Sequence, residues 1–348
     1  MGRKNKSYRK DLKEQIYEKL VGMLHAGEGT SKKDAMADGT DREKIFSYST
    51  YESYFKHCKY FASYIQEKHP ECTTMKSARK YVNEWLQSRV DGGGRDGRPL
   101  SAWTISLERG ALGKLYGIKP DEPDFFPAPQ RHREDIKRSR GDAVRDKHFS
   151  VTNNDEFIKF CRGTGCRRNV LVRLEGRDLA SREELNKEIA KLEAKEVPSE
   201  AERKHLNVLK DAVGQFPDQE YFIHHRKDKG GRERYAPIIG DNSEQIVERM
   251  RNTAPNEKVW QHVPRNADVH GYRGDYATAI YRMYARPIKE IPYDRINKGT
   301  NKRFQSGVYT CRKDESGKKL DRVAMMKASK ALGHNRLEVV ANNYIRGL

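Results

Sequence analysis

Apolar side chains recur at helical spacing along most of this chain, whereas strand-like runs are few and short. One predicted helix carries an apolar stripe from Tyr51 to Ile65, with Thr50 as its cap. A second helix is predicted around Trp85 and a third from Ser101 onward. Short helices bury their apolar faces only by packing on one another, so this pattern predicts an all-helical domain over residues 46–118.

The second half of the chain mixes helices with short strands. Tyr221–Ile223 and Tyr235–Ile239 flank a polar turn and predict a β-hairpin, and another is predicted near Val308–Val323. A proline-containing linker of mixed charge at 119–148 separates this domain, residues 149–348, from the helical one. The predicted fold class is mainly α with small β-hairpins, an α+β protein of two domains.

A pair of highly charged helices is predicted at about 181–214. Ser181 with Glu184 and Ser199 with Glu202 each match the capping box, in which two side chains satisfy free backbone N–H groups at a helix start. Because two such starts follow one another, the segment predicts a helical hairpin.

A further helix is predicted from Gly271 to Tyr284. Positions at helical spacing predict that one face is buried: Tyr276, Ala279, Ile280, Met283 and Tyr284. His270 and Arg273 are three residues apart, so a helix places an imidazole and a guanidinium on one face. A planar cation with five donors and a titratable donor together suit a phosphate oxygen and the atom bonded to it.

The charge of the chain favours a polyanionic partner. Lys plus Arg is 69 against 50 for Asp plus Glu, a formal charge of +19, which most simply indicates nucleic acid. Basic residues of the helical domain, among them Lys56, Arg89, Arg109 and Lys114, either track a phosphate backbone or form an ordinary solvated face. Residues 1–45 are basic, and are interpreted either as an arm that touches DNA or as a solvated helix with a mobile leader.

The chain has no apolar run of membrane-spanning length. It holds five cysteines, and an odd number in a long chain favours reduced thiols and a cytoplasmic location.

Four further segments each hold a candidate for chemistry on a phosphate. Arg167 follows a tight turn, Lys229 lies at a predicted hairpin tip, His334 follows a glycine, and Tyr344 comes ten residues later. With the histidine and arginine described above, they form the set that metal-free phosphoryl transfer to a protein side chain needs. Arginines would hold the non-bridging oxygens, the lysine would protonate the leaving oxygen, and the tyrosine would be the nucleophile. No cofactor or metal is expected.

These motifs resemble those of the tyrosine recombinases, the integrase family of phages and conjugative transposons. The resemblance runs from about residue 48 to the C-terminus. It is strongest in four segments: Thr164–Leu179, Lys229–Ile238, His270–Thr278 and Ser329–Tyr344. Each motif is short, and their joint occurrence in family order, behind a helical domain, carries the resemblance.

The resemblance implies a role for each candidate. Arg167 and Arg273 match the two catalytic arginines of the family. Lys229 matches the hairpin lysine that acts as general acid toward the 5′ oxygen. His270 and His334 match the histidines of the H-x-x-R and L-G-H motifs.

Tyr344 matches the family's nucleophile, which becomes joined to the 3′ phosphate of cut DNA. A free 5′ hydroxyl then reseals the strand without ATP or metal. The implied function is therefore a site-specific recombinase or integrase of a mobile element. Two alternatives stay open: an enzyme like the type IB topoisomerases, and a catalytically inactive DNA-binding protein.

The resemblance also implies an architecture and partners. A helical core-binding domain and a catalytic domain would clamp double-stranded DNA, and four subunits would assemble on two sites in the bacterial nucleoid. An excisionase or a host DNA-bending protein would be a further partner. Against the family pattern, the helical hairpin and Arg286–Asp321 resemble insertions. The acidic residue often found three positions after the first arginine is Val170 here, so that contact is either missing or supplied elsewhere.

Overall fold

A computed structural model describes residues 10–93, 97–132, 149–226, 228, 233–312, 315–345 and 348. The chain divides into two compact units, Met1–His132 and Arg133–Leu348. Helices dominate the described parts of both, and the strands found there form small antiparallel sheets, so the α+β fold class is confirmed. Over the same residues, no helix is long and apolar enough to cross a membrane.

The first unit is built from helices around one hydrophobic core. Its helices are α1 (Leu12–Gly27), α2 (Lys32–Ala37), α3 (Tyr48–Lys68), α4 (Met75–Ala78), α5 (Val82–Asp91) and α6 (Ala102–Tyr116). The core joins apolar residues of α1, α3, α5 and α6. Phe61 of α3 is fully buried, and its ring meets that of Trp85 edge to face at 5.5 Å. Aromatic side chains bury large apolar areas, so this pair contributes strongly to the stability of the core.

Two details of this unit differ from the sequence predictions. Ser47, not Thr50, caps α3, because its Oγ accepts from the Thr50 backbone N–H at 3.2 Å. Helix α1 lies within the segment predicted as a separate arm, but Ile16 and Leu20 are fully buried and the helix packs on α3. Part of the 1–45 segment is therefore integral to the helical core.

A buried carboxylate joins two of these helices. Glu108 on α6 is fully buried and accepts from Arg89 Nε at 3.2 Å and Nη2 at 3.0 Å. Its Oε1 also lies 3.2 Å from His57 Nδ1. Burial raises the pKa of Glu108, but the hydrogen bonds from His57 and Arg89 outweigh it and hold the pKa below its usual value. Arg89 is thus an internal ion-pair partner, not a surface cation that tracks a phosphate backbone.

Two more of the predicted surface cations are also used internally. Arg109 donates to the Phe126 carbonyl at 3.0 Å, and Lys114 donates to the Asp41 carbonyl. Lys56 remains exposed.

The second unit has more elements and two hydrophobic clusters. Its helices are α7 (Asp155–Thr164), α8 (Arg168–Leu171), α9 (Arg182–Glu193), α10 (Glu200–Gln215), α11 (Ser243–Arg251), α12 (Val269–Tyr284), α13 (Arg322–Ala331) and α14 (Leu337–Asn343). Its strands are β1 (Leu179–Ser181), β2 (Tyr221–His225), β3 (Arg234–Pro237), β4 (Arg295–Ile296), β5 (Arg303–Phe304), β6 (Val308–Thr310) and β7 (Lys319–Asp321).

Helix α12 connects the two clusters of this unit. Tyr276 and Ile280 belong to one cluster, and Val269 and Tyr272 to the other. The helix packs against α13 on one side and α7 on another. A helix buried from two directions is held at a fixed position and rotation, which is what a site built on its first turn requires.

The predicted supersecondary elements of this unit are confirmed. Strand β2 pairs with β3, with Ile223 opposite Ala236, and β6 pairs with β7. Helices α9 and α10 pack on each other, and both predicted capping boxes are present, at Ser181 and Ser199. Strand β1 adds to β2, giving a three-stranded sheet in the order β1-β2-β3.

All five cysteines are buried as free thiols: Cys58, Cys72, Cys161, Cys166 and Cys311. Burial raises the pKa of Cys166 to about 11 and that of Cys58 still further. The thiols of Cys166 and Cys58 therefore stay protonated at neutral pH.

Replacing Glu108 with Ala should lower the free energy of unfolding by about 3–5 kcal/mol, because it leaves the part-buried Arg89 without its anion. Thermal and urea unfolding would measure the loss. The control is Glu18→Ala, which removes an exposed ion pair with Lys10 and should cost about 1 kcal/mol or less. Equal effects of the two substitutions would contradict the structural role of Glu108.

Candidate active site

Five of the six predicted site residues meet in the second unit. Arg167, His270, Arg273 and Tyr344 line a cavity of about 350 Å³. His334 adjoins them, with its Nε2 3.4 Å from the Tyr344 hydroxyl. The sixth, Lys229, lies outside the described residues.

Arg167 is placed by the turn that ends α7. Gly165 has φ of 58°, the left-handed region. A Cβ there would lie 2.2 Å from the Tyr276 ring, so the turn needs a residue without a side chain. Arg167, two residues after Gly165, has extended backbone and directly precedes α8. Its neighbour Arg168 donates to the carbonyls of Pro264 and Ala267, both at 2.6 Å, and so fixes the segment before α12.

Helix α12 presents His270 and Arg273 from its first turn. Asp268 caps the helix, since its Oδ1 accepts from the Gly271 N–H at 3.1 Å. Arg273 is only 2% exposed, whereas His270 is exposed. The prediction of a helix that begins beside this pair is therefore confirmed.

The predicted buried face of α12 is only partly right. Tyr276 and Ile280 are fully buried, but Ala279 and Met283 are exposed. The helix instead buries Tyr281, together with Arg273, because α13 and α7 cover it from two directions. A single helical stripe cannot describe such a helix.

Arg273 is held by backbone carbonyls. Its Nη1 donates to the Gly165 carbonyl and its Nη2 to the Leu332 carbonyl. Its buried Nε has no hydrogen-bond partner among the described residues. Burial lowers the pKa of Arg273 to about 10, with the nearby Arg167 charge adding to the effect, so the side chain stays cationic at neutral pH.

Tyr344 follows α14 directly and is 7% exposed. Its ring centroid lies 5.1 Å from that of His270 and 5.4 Å from that of His334. The Arg273 guanidinium carbon lies 5.6 Å from the same ring. The Tyr344 carbonyl accepts from Thr278 Oγ1 at 3.3 Å, which joins the tyrosine to α12.

His334 is placed by a closed turn after α13. Its N–H donates to the Ser329 carbonyl at 2.7 Å, and Ser329 Oγ donates to the His334 carbonyl at 2.8 Å. Burial, and then the charges of Arg273 and Arg167, lower the pKa of His334 to about 4. The imidazole is therefore neutral at pH 7 and has a lone pair with which to accept a proton.

Three residues of the site were missed by the sequence analysis: Asp228, Arg234 and His225. Asp228 is buried and accepts from both Arg167 and Arg234. The carboxylate beside Arg167 thus comes from the end of the β2–β3 hairpin, not from position 170. In the sequence Asp228 stands between two lysines in a polar turn, and no local pattern distinguishes it.

Arg234 joins strand β2 to the end of helix α13. It donates through Nη2 to His225 Nδ1 at 3.2 Å and through Nε to the Ala331 carbonyl at 3.3 Å. A Cβ at Gly333 would lie 2.7 Å from Arg234 Nη1, so this glycine permits the close approach. Burial, and then the Arg234 charge, lower the pKa of His225 well below its usual value, which keeps it a neutral acceptor.

No protein-family model matches the chain, and no curated protein matches it significantly. A function for this site therefore rests on its geometry and on the sequence motifs.

The ring of His334 should titrate near pH 4 in the free protein, which histidine NMR signals would measure. Replacing Arg167 with Gln should raise that pKa, because one fewer cation opposes formation of the imidazolium. Arg303→Gln makes the same charge change at an exposed strand residue and is the control. A pKa that both substitutions shift equally would show that Arg167 does not act locally on His334.

Proposed function

We propose that this protein cuts and rejoins DNA strands through a covalent bond between Tyr344 and a 3′ phosphate, as a tyrosine site-specific recombinase. The observation that carries the proposal is the setting of the Tyr344 hydroxyl. It lies 3.4 Å from a histidine nitrogen, and Tyr344 lines one cavity with two arginines.

The two arginines suit a phosphodiester. Arg167 and Arg273 both line the cavity, and Arg273 retains a buried Nε–H without a partner among the described residues. A phosphodiester carries one negative charge on two non-bridging oxygens, and more charge builds on them during substitution at phosphorus. Fixed cations with free donors stabilise that charge without reorganising.

The chemical step needs a nucleophile, a base and an acid. The Tyr344 oxygen attacks phosphorus, so the bond from phosphorus to Tyr344 forms and the bond to the 5′ oxygen breaks. Neutral His334, with Nε2 unprotonated, accepts the tyrosine proton. The leaving 5′ oxygen takes a proton from a general acid, a role that the family resemblance gives to Lys229. The ester retains the bond energy, so attack by a 5′ hydroxyl reverses the step.

The resemblance extends the proposal from chemistry to assembly. The helical first unit would add affinity for the DNA backbone through exposed cations such as Lys56, Lys59, Arg79 and Lys80. Both units would clamp the duplex, and four subunits would exchange strands between two sites. The excisionase or DNA-bending protein of the sequence analysis belongs to the same proposal.

The Tyr344→Phe variant should form no covalent adduct with DNA. The assay uses duplexes from the ends of the mobile element that encodes the protein, nicked near the cut so that resealing fails, in buffer containing EDTA. Denaturing gels should show a DNA-linked band with the intact protein and none with the variant. The hydroxyl is absent in Phe, but the ring and its packing remain.

The control for this assay is Tyr309→Phe, a partly exposed tyrosine on β6, which should leave the adduct unchanged. If the intact protein bound the duplex but gave no adduct, the result would favour a DNA-binding protein without catalysis. An adduct that persisted in Tyr344→Phe would assign the nucleophile to another residue.

Replacing Asp228 with Asn should slow adduct formation at saturating DNA by about 10²-fold, because Arg167 loses the anion that fixes its guanidinium. Affinity for DNA should change little. Asp228→Glu should recover part of the rate, since it keeps the charge. An unchanged rate constant in folded Asp228→Asn would show that this contact does not position Arg167.

A further inference from the structure

A short β-ribbon projects from the second unit after α12. Residues 292–304 are all exposed, and within them β4 pairs with β5 in antiparallel register. The segment Tyr293–Phe304 is called the basic ribbon below. It lies in the stretch that resembles an insertion, and neither the catalytic cluster nor the hydrophobic clusters of this unit need it.

The turn of the basic ribbon is well defined. Asn297 N–H donates to the Lys302 carbonyl at 2.9 Å, and the Asn297 side chain accepts from Gly299 N–H at 2.9 Å. Asn301 adopts a φ of 53°, which asparagine tolerates better than most residues, and donates to the Asn297 carbonyl at 2.8 Å. These hydrogen bonds give the turn of the ribbon a defined backbone conformation.

Its base is also fixed. Gln305 donates to the Ile291 carbonyl, and Asp294 accepts from the Ser306 N–H at 2.7 Å and from the Ser306 hydroxyl. The hydrogen bonds from Ser306 lower the pKa of Asp294, so this carboxylate stays ionised while serving the base of the ribbon.

Four cations lie along the ribbon: Arg295, Lys298, Lys302 and Arg303. None of them forms an ion pair with another described residue. The inserted hairpin α9–α10 behaves differently, because five of its lysines each pair with a glutamate: Lys187, Lys191, Lys195, Lys204 and Lys210. The lysines of the inserted hairpin are thus neutralised locally, whereas among the described residues of the ribbon only Arg295 has a carboxylate nearby, that of Asp294, whose pKa its charge helps to lower.

The ribbon also exposes large apolar side chains. Tyr293 is 62% exposed, Ile296 61% and Phe304 41%. A two-stranded ribbon fits the major groove of B-DNA, where cations reach phosphates and apolar groups contact thymine methyls. Cations and exposed apolar groups on one two-stranded ribbon therefore suit a groove of double-stranded DNA.

We propose that the basic ribbon is a second DNA-contacting element, which enters a groove of the duplex and holds the backbone through its four cations. The proposal rests on DNA being the substrate of the Tyr344 site. It adds a contact separate from the cleavage site, and it gives the insertion a role in choosing or holding the flanking DNA.

The test compares two full-length variants with equal charge loss. One replaces Arg295, Lys298, Lys302 and Arg303 with Gln. The other replaces four of the paired lysines of the inserted hairpin with Gln: Lys187, Lys191, Lys195 and Lys204. Fluorescence anisotropy measures binding to a 40-base-pair duplex of unrelated sequence over a series of NaCl concentrations. Thermal unfolding confirms that each variant is folded.

The ribbon variant should bind at least about 10-fold more weakly near physiological salt, with the slope of log K against log salt reduced by about 2–4. The hairpin variant should stay within about 2-fold of the intact protein, because its lysines are already neutralised. Phe304→Ala should weaken binding without changing the slope, because it removes an apolar contact and no charge.

Equal losses in the two quadruple variants would overturn the proposal, since the effect would then be one of bulk charge. An unchanged slope in the ribbon variant, with fewer protein copies bound per duplex, would overturn it in favour of a contact between subunits. Failure of the intact protein to bind duplex at all would instead overturn the proposed function. The proposed role of the ribbon, which depends on that function, would then be overturned as well.

Discussion

Asp228 lies between two arginines, and the shape of the candidate site depends on that carboxylate. The guanidinium groups of Arg167, Arg234 and Arg273 come from elements far apart in the sequence, and like charges repel more strongly as the surroundings exclude water. Asp228 and backbone carbonyls such as that of Leu332 offset this repulsion before any ligand arrives. Burial, and then the charges of Arg273 and Arg167, lower the pKa of His334 and keep it neutral, whereas the Asp228 charge acts in the opposite direction.

Local signals were enough to predict much of the fold. Ser181 and Ser199 cap helices because a capping box is complete within four residues. Ser101 caps α6 through a single local hydrogen bond, from the Thr104 backbone N–H to its side chain. The β2–β3 hairpin followed from two apolar runs around a polar turn. His270 and Arg273 also form a local signal, because three residues on a helix bring side chains together whatever the rest of the chain does.

The features that were missed depend on contacts between distant segments. Asp228 meets Arg167 across sixty-one positions of the chain, and no pattern within either segment encodes that pairing. Arg89 looked like a surface cation because its partner Glu108 lies on another helix. Met283 looked buried because an apolar stripe does not reveal which neighbours cover a helix. Thus the sequence indicated most of the residues that meet at the candidate site, and tertiary packing decided how they are held.

The burial of all five cysteines has a practical consequence for experiments. Thiol reagents attack exposed thiolates, and all five side chains are buried. A cysteine introduced at an exposed position, such as Gly299 in the turn of the ribbon, would be labelled alone while the native five remain in place. Fluorescent or spin labels could therefore follow distances from the ribbon to the rest of the protein, or to a bound partner, in a molecule whose core is untouched.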